Sequence, residues 1–121
     1  MKLRQIALGC EDLARAQDFY TRLLGKDPIA VFAQPGFCFF DIDGTRLLIE
    51  IGGPKSLIYI GVDDVRETVI SLKERGFSIH TEPHIVFPDA GGLFDHPGNE
   101  WLAFIEDSEG NLVGLMSRER I

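Results

Sequence analysis

One octapeptide pattern occurs twice. Ile6-Ala7-Leu8-Gly9-Cys10-Glu11-Asp12-Leu13 returns as Ile58-Tyr59-Ile60-Gly61-Val62-Asp63-Asp64-Val65, an offset of 52 residues from Ile6 to Ile58. Each copy joins a short alternating run to an acidic turn and then to an amphipathic helical stretch. One copy alone has an apolar face with nothing to cover it, so copies pair, within one chain or between two, to close a core. A chain of 121 residues has room for that pairing but little room for a second independent core. The expectation is a single domain over 1–121 in two modules, about 1–52 and about 55–121, with Gly52-Gly53-Pro54 as the linker and any chemistry between the copies.

Residues 3–10 alternate, with Ile6, Leu8 and Cys10 on one face and Gln5, Ala7 and Gly9 on the other, the period of a strand. Asp12 has the short acceptor side chain of an N-cap. Leu13, Ala16, Phe19, Tyr20, Leu23 and Leu24 then follow at helical spacing as far as Gly25. Strands are predicted over 28–33, 37–42 and 45–51, the last two joined through an Asp43-Gly44 hairpin turn. In the third of these, Leu47, Ile49 and Ile51 share one face and Arg46, Leu48 and Glu50 the other. The second copy repeats the plan. Asp64 and Glu67 open its helix like a capping box, 77–87 is extended around Pro83, and 88–99 reads as a loop. Closing strands over 100–106 and 112–117 are joined by Asp107-Ser108-Glu109-Gly110, and 118–121 reads as a frayed tail. Each copy is therefore strand, helix, strand, strand, strand, and the class is α+β.

A formal net charge of −7 is the wrong sign for a nucleic-acid partner, whose phosphates require a basic surface. No run of about 18 apolar residues is present to span a bilayer, and Met1-Lys2-Leu3-Arg4 leads directly into strand pattern without the apolar segment of a signal peptide. The expected setting is cytoplasmic, with no membrane partner. Cys10 and Cys38 lie in apolar strand-like runs without paired spacing and are expected to be reduced core thiols.

Glu50 is the most informative polar residue. A carboxylate among Leu48, Ile49 and Ile51 must be at an edge, be paired, or face a cavity, and a cavity-facing Glu50 would be suited to move a proton. Gln5 is a second polar position on a face turned from a helix, and Tyr59 stands on the equivalent face of the second copy, next to Gly61. His80, Glu82 and His84 share one strand parity, as metal ligands on a strand would, with His84 foremost because it adjoins Ile85-Val86-Phe87. A solvated edge beside Pro83 is the plainer reading of that trio. His96 reads as a loop residue, and Trp101 has the ring to stack on a ligand or to pack in the core.

Gln5-Ile6-Ala7-Leu8, Asp12-Leu13, Asp18-Phe19-Tyr20, Leu23-Leu24-Gly25 and the closing Trp101-Leu102-Ala103-Phe104 to Asp107-Ser108-Glu109-Gly110-Asn111 follow one another in an order that resembles the vicinal oxygen chelate superfamily. That group includes glyoxalase I, methylmalonyl-CoA epimerase, extradiol dioxygenases, and the fosfomycin and bleomycin resistance proteins. The resemblance covers nearly the whole chain. It implies two βαβββ modules forming a curved mixed sheet around a cavity, a small-molecule ligand, and a homodimer. It also implies a divalent metal (zinc, nickel, manganese or iron), held by one residue from the first and one from the last strand of each module. Those positions fall on Gln5 and Glu50, with His84 as a substitute ligand; in the second module they fall on Leu57 and Gly114, which cannot ligate.

Two functions follow from the resemblance. One is an enzyme of the glyoxalase I and epimerase kind, a lyase or isomerase in which Glu50 is the base next to a carbonyl and Gln5, Tyr59, His84 and Trp101 contact substrate. The other is a metal-free binding protein, similar to bleomycin-resistance proteins, that sequesters a cationic or planar compound.

Overall fold

The repeated sequence becomes one strand order used twice. In the computed structural model, which describes residues 1–120, the chain divides into two compact units. The first is Met1–Ser56 with Asp107–Asn111; the second is Leu57–Glu106 with the residues from Leu112 on.

The first unit holds β1 (Gln5–Cys10), α1 (Leu13–Leu24), β2 (Ala30–Phe32), β3 (Phe37–Ile42) and β4 (Thr45–Ile51). Its sheet runs β1-β4-β3-β2, with β1 parallel to β4 and the other pairs antiparallel. The Asp12 carboxylate caps α1 by accepting from the Arg15 N–H at 3.0 Å, and Gly25, at φ 68°, ends it. Asp43 and Gly44, at φ 48° and 89°, form the tight turn predicted between β3 and β4. Leu8, Cys38, Phe40, Leu47 and Ile49 make the covered face of the sheet, and Ala16, Phe19 and Tyr20 are the buried residues of α1. Burial of a leucine, isoleucine or phenylalanine among these stabilises by about 1.5–3 kcal/mol. The segment after β4 runs back along the free edge of β1, where the Gly9 N–H donates to Pro54 O at 2.7 Å and Ser56 Oγ donates to Ala7 O at 2.9 Å.

In the second unit β5 (Ile58–Gly61), α2 (Val65–Glu74), β6 (Ile79–Asp89), β7 (Gly98–Glu106) and β8 (Leu112–Arg120) repeat the plan in the order β5-β8-β7-β6, with β5 parallel to β8. Its covered side buries Ile58, Val65, Val69, Leu72, Ala103, Ile105, Val113 and Leu115. The α+β class and the two four-stranded mixed sheets are as the sequence predicts.

Three local expectations change. The expected loop over 88–99 shrinks to 90–97, because the buried Asp89 carboxylate accepts from the Leu93 N–H at 2.8 Å and the Phe94 N–H at 3.1 Å and closes the turn on itself. The expected tail is strand as far as Arg120: the Arg118 guanidinium binds Glu100, Asp89 and the His96 carbonyl, and an arginine so held does not fray; Ile121 lies outside the described residues. The turn 107–111 belongs to the first unit, although a boundary near residues 52–55 would assign it to the second. Asp107 accepts from Tyr20 Oη (2.7 Å), from the Glu109 and Asn111 N–H groups (2.8 and 2.7 Å) and from Asn111 Nδ2 (2.8 Å), while Asn111 Nδ2 also donates to Gly9 O at 3.2 Å.

Candidate functional site

Alternation along the strands leaves one face of the first sheet without a helix, and the register arranges that face in rows. Gly9, Glu50 and Phe37 form one row; Ala7, Leu48 and Phe39 the next; Gln5, Arg46 and Asp41 the third. On β2, Ala30 pairs with Phe39 and Phe32 with Phe37. The rings of Phe32 and Phe37 each meet Phe39 edge-on, at centroid distances of 6.2 Å, and the Arg46 guanidinium lies 6.0 Å from the Phe39 centroid. The outcome is an aromatic floor with a cation at one end and a carboxylate at the other.

Glu50 is half-buried. The chain folds back over its stem at Gly53: a Cβ there would stand 2.4 Å from Glu50 Cγ and 3.0 Å from Oε1. A Cβ on Gly9 would meet Gly53 O at 2.1 Å, so both glycines are required for this close passage. Beside it a cavity of about 200 Å³ is lined by Gly9, Cys10, Gly53, Lys55 and Glu109. Among the described residues the Glu50 carboxylate has no ion-pair or hydrogen-bond partner.

The register separates Gln5 from Glu50. Gln5 pairs with Arg46 and Glu50 with Gly9, four residues apart on β4, or about 13 Å at the usual strand rise. Ligand atoms of one ion must lie within about 2–2.6 Å of it, so these two residues do not fit a common metal. Among the described residues no group of three or more His, Cys, Asp or Glu is placed to hold one.

The second sheet places the remaining predicted residues apart from one another. Tyr59 pairs with Gly114 and its ring fills the space a side chain there would need, with a Cβ on Gly114 falling 2.4 Å from Tyr59 Cδ2; Phe104 meets it edge-on at 5.9 Å. Leu57 precedes β5 and is exposed. Irregular pairing of β6 breaks the parity shared by His80, Glu82 and His84. His80 Nδ1 lies 2.8 Å from Thr81 Oγ1, Glu82 pairs with Lys73 at 2.5 Å, and the exposed His84 has Nδ1 3.0 Å from Glu82 O. His96 Nδ1 is 3.0 Å from Pro97 O, in keeping with a loop residue. Trp101 stands on the helix side: it pairs with Ser117, whose Oγ accepts from the Val65 N–H, its Nε1 donates to Glu119 at 3.0 Å, and Arg66 of α2 stacks 4.3 Å from its centroid. A ring so engaged lies on the opposite face of the sheet from Tyr59.

Sequence reasoning missed two polar clusters. In the first unit Glu109 accepts from the Glu11 and Asp12 N–H groups and from Arg15 Nε at 2.6 Å; the arginine, against the cost of burial, pulls its carboxyl down to about 2. In the second, backbone donors from Leu93 and Phe94, helped by Arg118, hold Asp89 below its ordinary range. The first rests on partners far apart in sequence, the second joins a local turn at Asp89 to the distant Arg118, and only Asp107-Ser108-Glu109-Gly110-Asn111 gave a local signal. Arg46 was legible as a face-mate of Glu50, but its place over Phe39 was not.

Comparison with known proteins places this geometry. The family model of the Glyoxalase/Bleomycin resistance protein/Dioxygenase superfamily matches residues 2–115. Comparison with curated proteins gives no match. Among solved structures, a lactoylglutathione lyase from Agrobacterium tumefaciens aligns with a TM-score of 0.76 at 17% identity, covering 96% of this chain and 92% of that one. A superfamily member from Sphaerobacter thermophilus aligns with 0.74 at 18%, covering 97% of each chain, and one from Nocardioides with 0.72 at 14%, covering 98% of this chain and 83% of that one. With its two βαβββ units and this match over nearly all its length, the chain belongs to the glyoxalase/bleomycin resistance protein/dioxygenase superfamily.

Proposed function

We propose that this protein binds a small organic molecule on the uncovered face of the first sheet, with a cationic group of the ligand against Glu50. The observation that carries the reading is Glu50 itself, a half-buried carboxylate with no partner among the described residues, beside Phe37 and one row from Phe39 and Leu48. Holding such a group out of water is costly, and a bound cation offsets that cost, while the aromatic rings favour a cation or a planar body. No metal enters this reading. A thermal-shift screen of organic amines, followed by calorimetry on wild type and Glu50→Gln, tests it. The substitution is expected to weaken a hit by about tenfold or more, as for loss of a charge-assisted bond; unchanged affinity rejects the reading.

Half-burial of Glu50 also favours a second reading, proton transfer next to a carbonyl with Glu50 as base, as the resemblance to glyoxalase I and the epimerases implies; one of the similar structures is named a lactoylglutathione lyase. In that case Glu50→Gln lowers turnover by about 10²–10⁴-fold, whereas a pure binding protein has no turnover to lose. We further propose a homodimer. Each sheet ends on an edge strand with exposed apolar residues, Val31 and Phe32 on β2 and Ile85, Val86 and Phe87 on β6, which a second chain would cover. A monomer mass by light scattering at micromolar concentration refutes it. No helix is long and apolar enough to cross a membrane, and a cytoplasmic setting, with both cysteines free, completes the proposal.

A further inference from the structure

We infer that the ligand of this face is a zwitterion: an elongated apolar or aromatic molecule with a cationic group at one end, met by Glu50, and a carboxylate at the other, met by Arg46. The inference rests on the reading of Glu50 given above and extends it to the opposite end of the same face.

Arg46 and Glu50 lie on the same strand and, an even number of residues apart, on the same face, with Leu48 between them. Their Cα atoms are separated by about 13 Å. Between the two charges lie Leu48, Phe39 and Phe37, an apolar length that offers a ligand no polar partner. Arg46 is exposed, and among the described residues its guanidinium has no ion pair or hydrogen bond, only the Phe39 ring at 6.0 Å. Its cross-strand neighbours are Gln5 and Asp41. Asp41 is the natural internal partner, yet no ion pair joins them; the backbone carbonyl of Asp41 instead accepts from Lys26 Nζ at 2.8 Å. An arginine held against a ring retains its fork of N–H donors for a carboxylate, which it binds with two parallel bonds. A ligand with one charge uses one end of this face. A ligand with opposite charges across an apolar spacer uses both, and the second contact then forms at high effective concentration.

Calorimetry with three probes on the full-length protein tests this: ω-aminooctanoate, octylammonium and octanoate. Wild type is expected to bind ω-aminooctanoate about tenfold or more tighter than either singly charged probe. Arg46→Gln should reduce it to about the level of octylammonium, and Glu50→Gln should reduce it to about the level of octanoate. Arg46→Lys, which keeps the charge and loses the fork, should fall between wild type and Arg46→Gln; circular dichroism verifies that each variant is folded. Equal affinity of wild type for ω-aminooctanoate and octylammonium, with Arg46→Gln altering neither, overturns the zwitterion inference and leaves the Glu50 reading intact. No binding of any probe, or binding indifferent to Glu50→Gln, rejects both.

Discussion

The two sheets share a strand order but treat charge on their uncovered faces in opposite ways. On the first, Arg46 and Glu50 stand four residues apart on β4 with apolar side chains between them and no partner among the described residues. On the second, Arg118 of β8 and Glu100 of β7 are cross-strand neighbours and bind each other, with the buried Asp89 as a further acceptor at 3.1 Å. One topology thus carries one pair of charges bound to each other and one pair without an internal partner among the described residues. Arg118 and Glu100 bind each other in direct cross-strand register, whereas Arg46 and Glu50, about 13 Å apart, do not reach each other, and no ion pair joins Arg46 to its cross-strand neighbour Asp41.

The largest effect that could break this contrast is on stability. Arg118→Met leaves Asp89 and Glu100 buried without their cation and is expected to lower the unfolding midpoint by on the order of 10 °C, because a buried charge deprived of its partner is among the costliest single changes. Arg46→Met, at an exposed site with no internal partner, should shift it by no more than about 2 °C. Equal midpoints for the two variants in scanning calorimetry would abolish the distinction between the faces.

A smaller effect lies in pH. Glu109 of the first unit is lowered to about 2 from an unfolded value near 4.5, and Asp89 of the second is lowered too. With folded values depressed, the unfolded chain binds more protons as pH falls, so both groups stabilise at higher pH and that stability is lost, for Glu109 as pH falls from about 4.5 toward 2 and for Asp89 below about 3.8. For Glu109, whose partner Arg15 is half exposed, the contribution at neutral pH is about 1–3 kcal/mol. Urea unfolding against pH should steepen in this window, and Glu109→Gln should flatten part of the slope. An unchanged slope would mean that the turn 107–111 is not anchored through its carboxylate.

The smallest effect sharpens the division between the covered and uncovered sides of the first sheet. Cys10 and Cys38 are buried, and burial raises both thiols, Cys38 to about 11. Since the thiolate is the reactive form, alkylation by iodoacetamide at neutral pH should be slow in the native protein and become fast only in denaturant. Rapid native labelling of either would place it on the accessible side.

Much of the fold is written locally. Asp12, Asp64 and Gly25 cap helices where their side chains and backbone freedom dictate, Asp43-Gly44 turns the chain where positive φ is needed, and period-2 alternation marks which residues of β1, β3 and β4 meet a helix. The candidate site is legible only in part. Glu50 and Arg46 can be assigned to one face by counting, but the Arg118 cluster cannot, since its members at 89, 96, 100 and 118 carry no common spacing. Trp101 is also assigned poorly, because its engagement with Arg66 and Glu119 depends on where α2 lies.

By itself the sequence determined the duplication, the βαβββ order of each copy, and the face on which Gln5 and Glu50 lie. Tertiary structure alone decided how far apart they are. Alternation is unchanged when a strand slips by two or four residues, so the pattern is equally content with Gln5 opposite Arg46, Leu48 or Glu50. The parallel pairing of β1 with β4 is fixed by the path of the chain through α1, β2 and β3, and that path puts Gln5 beside Arg46 and Glu50 beside Gly9. Two residues that resemblance joins at one ion therefore stand at opposite ends of the sheet.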